Sequence, residues 1–514
     1  MRVVTPRNLI MRAILALVVF FVLLACGGWQ SLAAIPEHEH PVPEKLGNVQ
    51  FATSCSPKVQ KSFERAVALL HSFAYSAAEK AFRDVAAKDP NCAAPHWGVA
   101  MTYFHQLWEP PVAPQDIARG LAEIEQAKRL STSDRERGFI DALSLIYANV
   151  DSLPYQERLD RYAQAMRKLA GRYQDDAECQ IFYALVLIAS ASPSDASHAK
   201  QKEAAAILEP LFEKYPQHPG IAHYLIHACD NAEMAQQGVT AAKAYSQIAP
   251  SAPHALHMPS HIYTRLGMWE ESIASNLAAE KAARQQADKG EELHAMDYLV
   301  YAYLQLGRDA EAARVLDELR AMSGLDGSDF KMGYAASTMP ARYAIERRQW
   351  SDAAQLIPVD GASPQVLAVT LWARSVGLAR SGKPAAARQE IEKLRSANEQ
   401  LRAAKDDYWA TQVHTEMNEA LAWVAQAEGK ADEAVKLMRT AADEEDAIEK
   451  RPVTPGAIVP AREQFGDLLL EANQPQEALT EYQRALTMTP QRRGALMGLA
   501  HAREMIASAA PNKN

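Results

Sequence analysis

A short turn recurs through the second half of this 514-residue chain and constrains its fold more than any other feature. The turn is centred at Gly267, Gly307, Arg348, Gly382, Gly429 and Asn473. Five positions after each stands a small residue: Ser272, Ala312, Ala353, Ala387, Ala434 and Ala478. A glycine or asparagine just past a helix ends it in the left-handed conformation. A small side chain one turn into the next helix lets two helix backbones approach closely. One register repeated this often predicts an array of helix hairpins, each burying its apolar face only against its neighbours. Alternating Val/Ile/Thr runs are nearly absent, so almost no sheet is expected. The predicted fold class is all-α, a superhelical solenoid of helical repeats.

Flanking residues extend the pattern. Phe465, Gly466, Leu469, Ala478, Tyr482, Ala485 and Pro490 make its fullest copy, and Ala78, Phe82 and Pro90 repeat part of it. Hairpins over 59–92 and 219–250 bring the total to about eight units. The stretch His96–Glu109 reads as a repeat helix interrupted from Pro110, and 131–197 is helical without a clean signature. A helix near 492–507 is expected to cap the array, and the acidic run Asp443–Asp446 reads as a solvated helix end. The chain divides into a leader (1–33), a proline-rich linker (34–50) and an irregular helical region (51–218). Central repeats (219–327) and C-terminal repeats with the cap (328–514) follow.

These motifs resemble the tetratricopeptide repeat. TSCSPKVQKSF, LLHSFAY, DPNCAAPHWGVAM, HYLIHACDN, HALHMPSHIYTRLGMW and PVTPGAIVPARE more narrowly resemble a histidine-rich family of exported bacterial tetratricopeptide-repeat proteins. That resemblance implies a fold and no activity. It also implies that the second, fifth, ninth and twelfth positions of each first helix face a concave groove. Such a groove would take a peptide, a protein or a small molecule.

The N-terminus carries Arg2, Arg7 and Arg12 before an apolar run over 13–25, short for a membrane span and of signal-peptide length. LLAC, ending at Cys26, resembles a lipobox, which would lipidate Cys26 and tether the protein to a membrane. SLA before Ala34 instead fits ordinary cleavage, and an uncleaved anchor is a third reading. All three imply export, to the periplasm or to a lipid-anchored place at the cell envelope. Export permits disulfides. Cys55 precedes the first predicted helix and Cys92 follows the second, and an antiparallel hairpin would bring them together; two buried thiols are the alternative. The formal net charge of −9 argues against nucleic acid as a partner.

Six of the fifteen histidines fall between Pro219 and Tyr301. His223 and His227 stand four apart, as do His257 and His261, and His254 precedes His257 by three. Residues so spaced share one helix face. The turn glycines and closing prolines put His223, His227 and Asp230 on groove-facing slots, then His254, His257 and His261, then His294, Asp297 and Tyr301. Imidazoles with a carboxylate suit zinc, copper or iron. The expected ligands are His223, His227, His257 and His261, with Asp230, His254, His294 and Asp297 as further ligands or as groups supporting them. Glu463 occupies a groove slot as a candidate base. Pro259 should free the Ala255 carbonyl and bend its helix. His71 and His105 read as histidines packed among aromatics, or as one wall of a pocket. No HEXXH, phosphate loop or nucleophile elbow is present. Two functions follow: an exported repeat protein with a transition-metal site, for binding or a metal-dependent reaction, and a metal-free interaction scaffold of the envelope.

Overall fold

The computed structural model describes residues 44–509 except 106, 108–111 and 131, and every element below belongs to the unit that starts at Lys45. The leader with Cys26, most of the segment 34–50, and Trp108 and Glu109 lie outside the described residues. From Lys45 to Gln50 the chain lies against the body. The Asn48 amide donates to the Gln217 carbonyl oxygen at 2.8 Å, and Leu46 and Val49 are buried.

The described residues form helices and no strand. The N-terminal region holds α1 (Gln60–His71), α2 (Tyr75–Lys88), α3 (Ala94–Thr102), α4 (Pro114–Arg129), α5 (Asp134–Tyr147), α6 (Tyr155–Arg172), α7 (Ala177–Ala189) and α8 (Ala199–Lys214). The central repeats are α9 (Pro219–Cys229) with α10 (Ala235–Ile248), α11 (Pro253–His257) and α12 (Pro259–Leu266) with α13 (Trp269–Gln285), and α14 (Lys289–Gln305) with α15 (Asp309–Ala321). The C-terminal part holds α16 (Phe330–Glu346), α17 (Trp350–Ala353), α18 (Pro364–Arg380), α19 (Pro384–Ala403), α20 (Asp407–Ala427), α21 (Ala431–Asp446), α22 (Ala461–Glu471), α23 (Pro475–Met488) and α24 (Arg493–Ala509). None is long and apolar enough to cross a membrane.

The turn chemistry accounts for the repeat. Gly267, Gly307, Gly382 and Gly429 all have positive φ, between 68° and 77°, and Arg348 and Asn473 adopt 56° and 57°. At each, the next residue donates its amide to a carbonyl five positions back, as Met268 does to Tyr263 at 2.8 Å and Gln474 to Leu469 at 2.8 Å. This is the Schellman closure, which satisfies a carbonyl that the helix end leaves open. The six small residues after these turns are fully buried, where larger side chains would hold the paired helices apart.

Pro259 divides its helix into α11 and α12 at Met258, which itself keeps right-handed φ and ψ of −52° and −34°. Pro340 occupies the matching slot in α16, which runs through it without a break. Cys55 and Cys92 are joined in a disulfide that ties the chain before α1 to the end of the α1–α2 hairpin.

Two segments fold back over the central repeats. The turn between α1 and α2 places Phe73 against them, and the non-helical stretch 447–460 crosses from α21. From that stretch the Glu449 amide donates to the Pro193 carbonyl at 2.7 Å, and Lys450 Nζ reaches Asp230 at 3.0 Å.

Candidate metal centre

The helix spacing delivers the histidines in pairs. His223 and His227 share one face of α9, His254 and His257 come from α11, His261 from α12 and His294 from α14. The expectation of an open groove is corrected here. All six imidazoles are buried, none more than 5 % exposed. The cause is the overlying chain. The Phe73 ring stacks on His227 and His254 and meets His223 edge-on at 4.4 Å between centroids. Lys450 and Pro452 close the other side through Asp230 and the Tyr298 hydroxyl.

The imidazoles form two triads rather than one four-histidine set. His223, His227 and His254 bring one ligand atom each within 4.8 Å of one another, and so do His257, His261 and His294. The pairs His223/His227 and His257/His261 thus fall in different triads, and His254 and His294 stand beside them as equal donors. The triads are adjacent: the His227 and His261 rings are 5.9 Å apart, and His254 and His257 6.1 Å.

The tautomers follow from the partners. His223 donates its Nδ1–H to the backbone oxygen of His71 at 2.6 Å, and His254 Nδ1 faces Glu291 Oε2 at 3.3 Å. His257 donates Nδ1–H to Asn276 Oδ1 at 2.6 Å; the amide orientation is set by Asn276 Nδ2 donating to the Ser272 carbonyl. His261 donates Nδ1–H to Asp230 Oδ2 at 2.9 Å. With Nδ1 protonated, the neutral His223, His257 and His261 rings each present a lone pair at Nε2. The His257 and His261 lone pairs face each other at 3.0 Å, and His223 Nε2 lies 3.2 Å from His254 Nε2. The His227 Nε2 atom lies 3.1 Å from that of His223.

Facing lone pairs at this separation repel unless a cation lies between them. A proton is the poorer candidate. Burial, helped by mutual repulsion among the imidazoles, holds His223, His227, His257 and His294 well below the usual histidine value. Burial likewise outweighs Asp230 and brings His261 down to about 4. A metal ion fits better. Two nitrogens on one tetrahedral ion at about 2.0–2.1 Å stand about 3.3–3.4 Å apart, close to the separations found here. The carboxylate and carbonyl partners on Nδ1 are those that metal-bound histidines commonly have. The histidine triads are therefore geometrically suited to hold metal ions.

Two buried ion networks hold these partners. Asp230 is driven far below its normal range because, against the effect of burial, Lys450, Arg265 and His261 all favour its charge. Glu291 is depressed likewise, burial being outweighed by Lys331 and His254; the Lys331 contact is 2.6 Å.

Asp297 joins neither triad. It lies 3.9 Å from Arg342, and burial outweighs that cation and raises its carboxyl to about 6. Glu463 is also apart, bonded to Arg492 at 2.6 Å. A third cluster, unforeseen from sequence as a group, joins His71, Glu178 and His218. Glu178 accepts from both rings, at 3.0 and 2.9 Å, and His218 Nδ1 accepts from the Ile221 amide. Its bonds are complementary, unlike those of the triads, and it fixes the His71 backbone that orients His223. His105 stacks on Tyr75 at 4.2 Å. Glu178, Asn276 and Glu291 carry no local motif, because each is brought in by packing between helices far apart in sequence.

No family model matches this chain, and no curated protein does. Similar solved structures include the anaphase-promoting-complex hetero-tetramer Cut9-Hcn1, 11% identical over 87% of this chain and 76% of that one, with a TM-score of 0.37. The P58(IPK) TPR domain is 13% identical over 88% of this chain and all of that one, at 0.22. A signal-transduction ATPase with a tetratricopeptide-repeat sensor from Pyrococcus horikoshii is 14% identical over 79% and 57%, at 0.31. The tetratricopeptide-like assignment rests on the helix hairpins and their turns, not on these scores.

Proposed function

We propose that this chain is an exported metal-binding repeat protein whose two buried histidine triads each take one transition-metal ion, zinc, copper or iron. The observation that carries the reading is the close approach of Nε2 atoms within each triad, 3.2 Å between His223 and His254 and 3.0 Å between His257 and His261, on rings whose Nδ1 atoms face a carbonyl, carboxylate or amide oxygen. Three protein nitrogens leave a four-coordinate ion one open position, the arrangement of sites that also bind an external ligand. The metal-free scaffold reading uses the histidines as ordinary polar contacts to a captured peptide or protein, and their burial does not favour it. Export is inferred from Arg2, Arg7, Arg12 and the apolar run that follows, together with the Cys55–Cys92 disulfide. Intact mass of the mature protein separates a lipidated Cys26 from a chain starting at Ala34.

Cobalt(II) titration of metal-free protein tests the triads separately. Tetrahedral cobalt absorption should grow to about two equivalents, and His223→Ala with His254→Ala should remove one of them. Unchanged uptake in that variant, with its helical circular dichroism intact, would refute the assignment.

A further inference from the structure

Beyond the histidines lies a cavity of about 170 Å³, bounded by α16, α18, α20, the end of α21 and the stretch 448–460. Its walls are aromatic and acidic. Tyr334, Trp372, Tyr408 and Trp409 line it with Glu416, Glu419 and Glu445. Residues 408, 412, 416 and 419 recur at helical spacing, so α20 turns one continuous face into the space.

The cations that line the cavity are already engaged. Arg265 pairs with Asp230 and Glu449, Lys450 with Asp230, and Arg462 with Asp443, Asp446 and Glu481. Among the described residues none of the three glutamates makes an ion pair, and Arg462 and Arg492 act on Glu445 only from farther off. Glu419 accepts only neutral donation, from Trp372 Nε1 at 2.7 Å, and Glu445 accepts from the Ala461 amide at 3.0 Å. Glu416 Oε2 is buried with no hydrogen-bond partner. Burial, reinforced by Glu445, pushes the Glu416 carboxyl up to about 8. The last turn of α21 adds to the deficit, since it ends in Asp443–Asp446 with no basic residue at the negative end of the helix dipole.

We propose that this cavity binds a small organic ammonium, its charge on Glu416 and Glu419 and its carbon body against the four aromatic rings. The bound ammonium favours the charged form of the Glu416 and Glu419 carboxyls, whose protons pass to water, and the aromatic faces attract a desolvated cation as well as its apolar part. The volume suits a small-molecule amine and not a folded partner. The assignment does not depend on metal at the histidines.

Quenching of tryptophan fluorescence tests it, because Trp372 and Trp409 form part of the wall. The probes are n-butylammonium chloride and its neutral counterpart butan-1-ol, added to the full-length protein. Saturable quenching by butylammonium should appear at concentrations at least about tenfold below any effect of butanol, and Glu416→Gln should weaken it at least about tenfold. Should Glu416→Gln fail to fold, Glu419→Gln serves, since it keeps an acceptor for Trp372. Equal responses to the two probes, no quenching, or full binding in the folded glutamine variant would each overturn the proposal.

Discussion

At the scale of single residues, burial decides what each ionisable group can do. Asp230 follows the end of α9 and Asp297 lies in the middle of α14; Asp230 holds three cationic or donor partners, while Asp297 has Arg342 at 3.9 Å and is pushed up to about 6. The native state therefore binds a proton at Asp297 more tightly than the unfolded chain does. Stability from this group is full below about pH 4 and is lost as pH rises through 6, worth about 3 kcal/mol in total. Asp297→Asn should lack that dependence. In urea titrations the wild type should lose stability relative to the variant between about pH 4 and 7; parallel curves would contradict it.

Between elements, close backbone approaches transmit orientation to the triads. At Gly220 on α9 an added Cβ would come within 2.5 Å of His71 Nδ1. Gly220→Ala must displace the His71 ring, whose backbone oxygen orients His223. We expect a loss of about 1–3 kcal/mol in stability together with weaker metal uptake. Calorimetry and a cobalt titration would check this, and normal uptake would show that His223 is held otherwise. The Cys55–Cys92 bond spans 37 residues. Its reduction should cost about 3–4 kcal/mol by the loop-entropy model, read as a lower denaturation midpoint for Cys92→Ser. The hairpins themselves were legible from sequence because glycine, small residue and proline act locally. The interruption of the helix at Pro259 was legible for the same reason. Asp443–Asp446 was harder: Glu445 turns inward to the cavity, a placement set by the returning 447–460 stretch.

Within the unit that starts at Lys45, return contacts tie the last repeat to the central ones. Gln491 accepts from Trp269 Nε1 at 3.1 Å, and the Arg493 amide reaches Gln305 at 3.0 Å. Arg492, fully buried, pairs with Glu346 at 2.8 Å and Glu463 at 2.6 Å. Arg492→Met leaves two carboxylates without their cation and should cost about 3–5 kcal/mol, seen as a lower Tm. A change under about 0.5 kcal/mol would mean the C-terminal contact carries no stability. Such contacts explain what sequence alone withheld about the metal centre. Periodicity placed His223, His227, His257 and His261 on inward faces, but it could not show that Phe73 and Lys450 cover them. Nor could it show that they divide into two triads completed by His254 and His294. The most direct test is elemental analysis of protein purified from its native setting and never exposed to chelator or a nickel column. About two equivalents of transition metal per chain, one per triad, are expected. Metal-free protein that also refuses zinc, copper and iron on reconstitution would contradict the account.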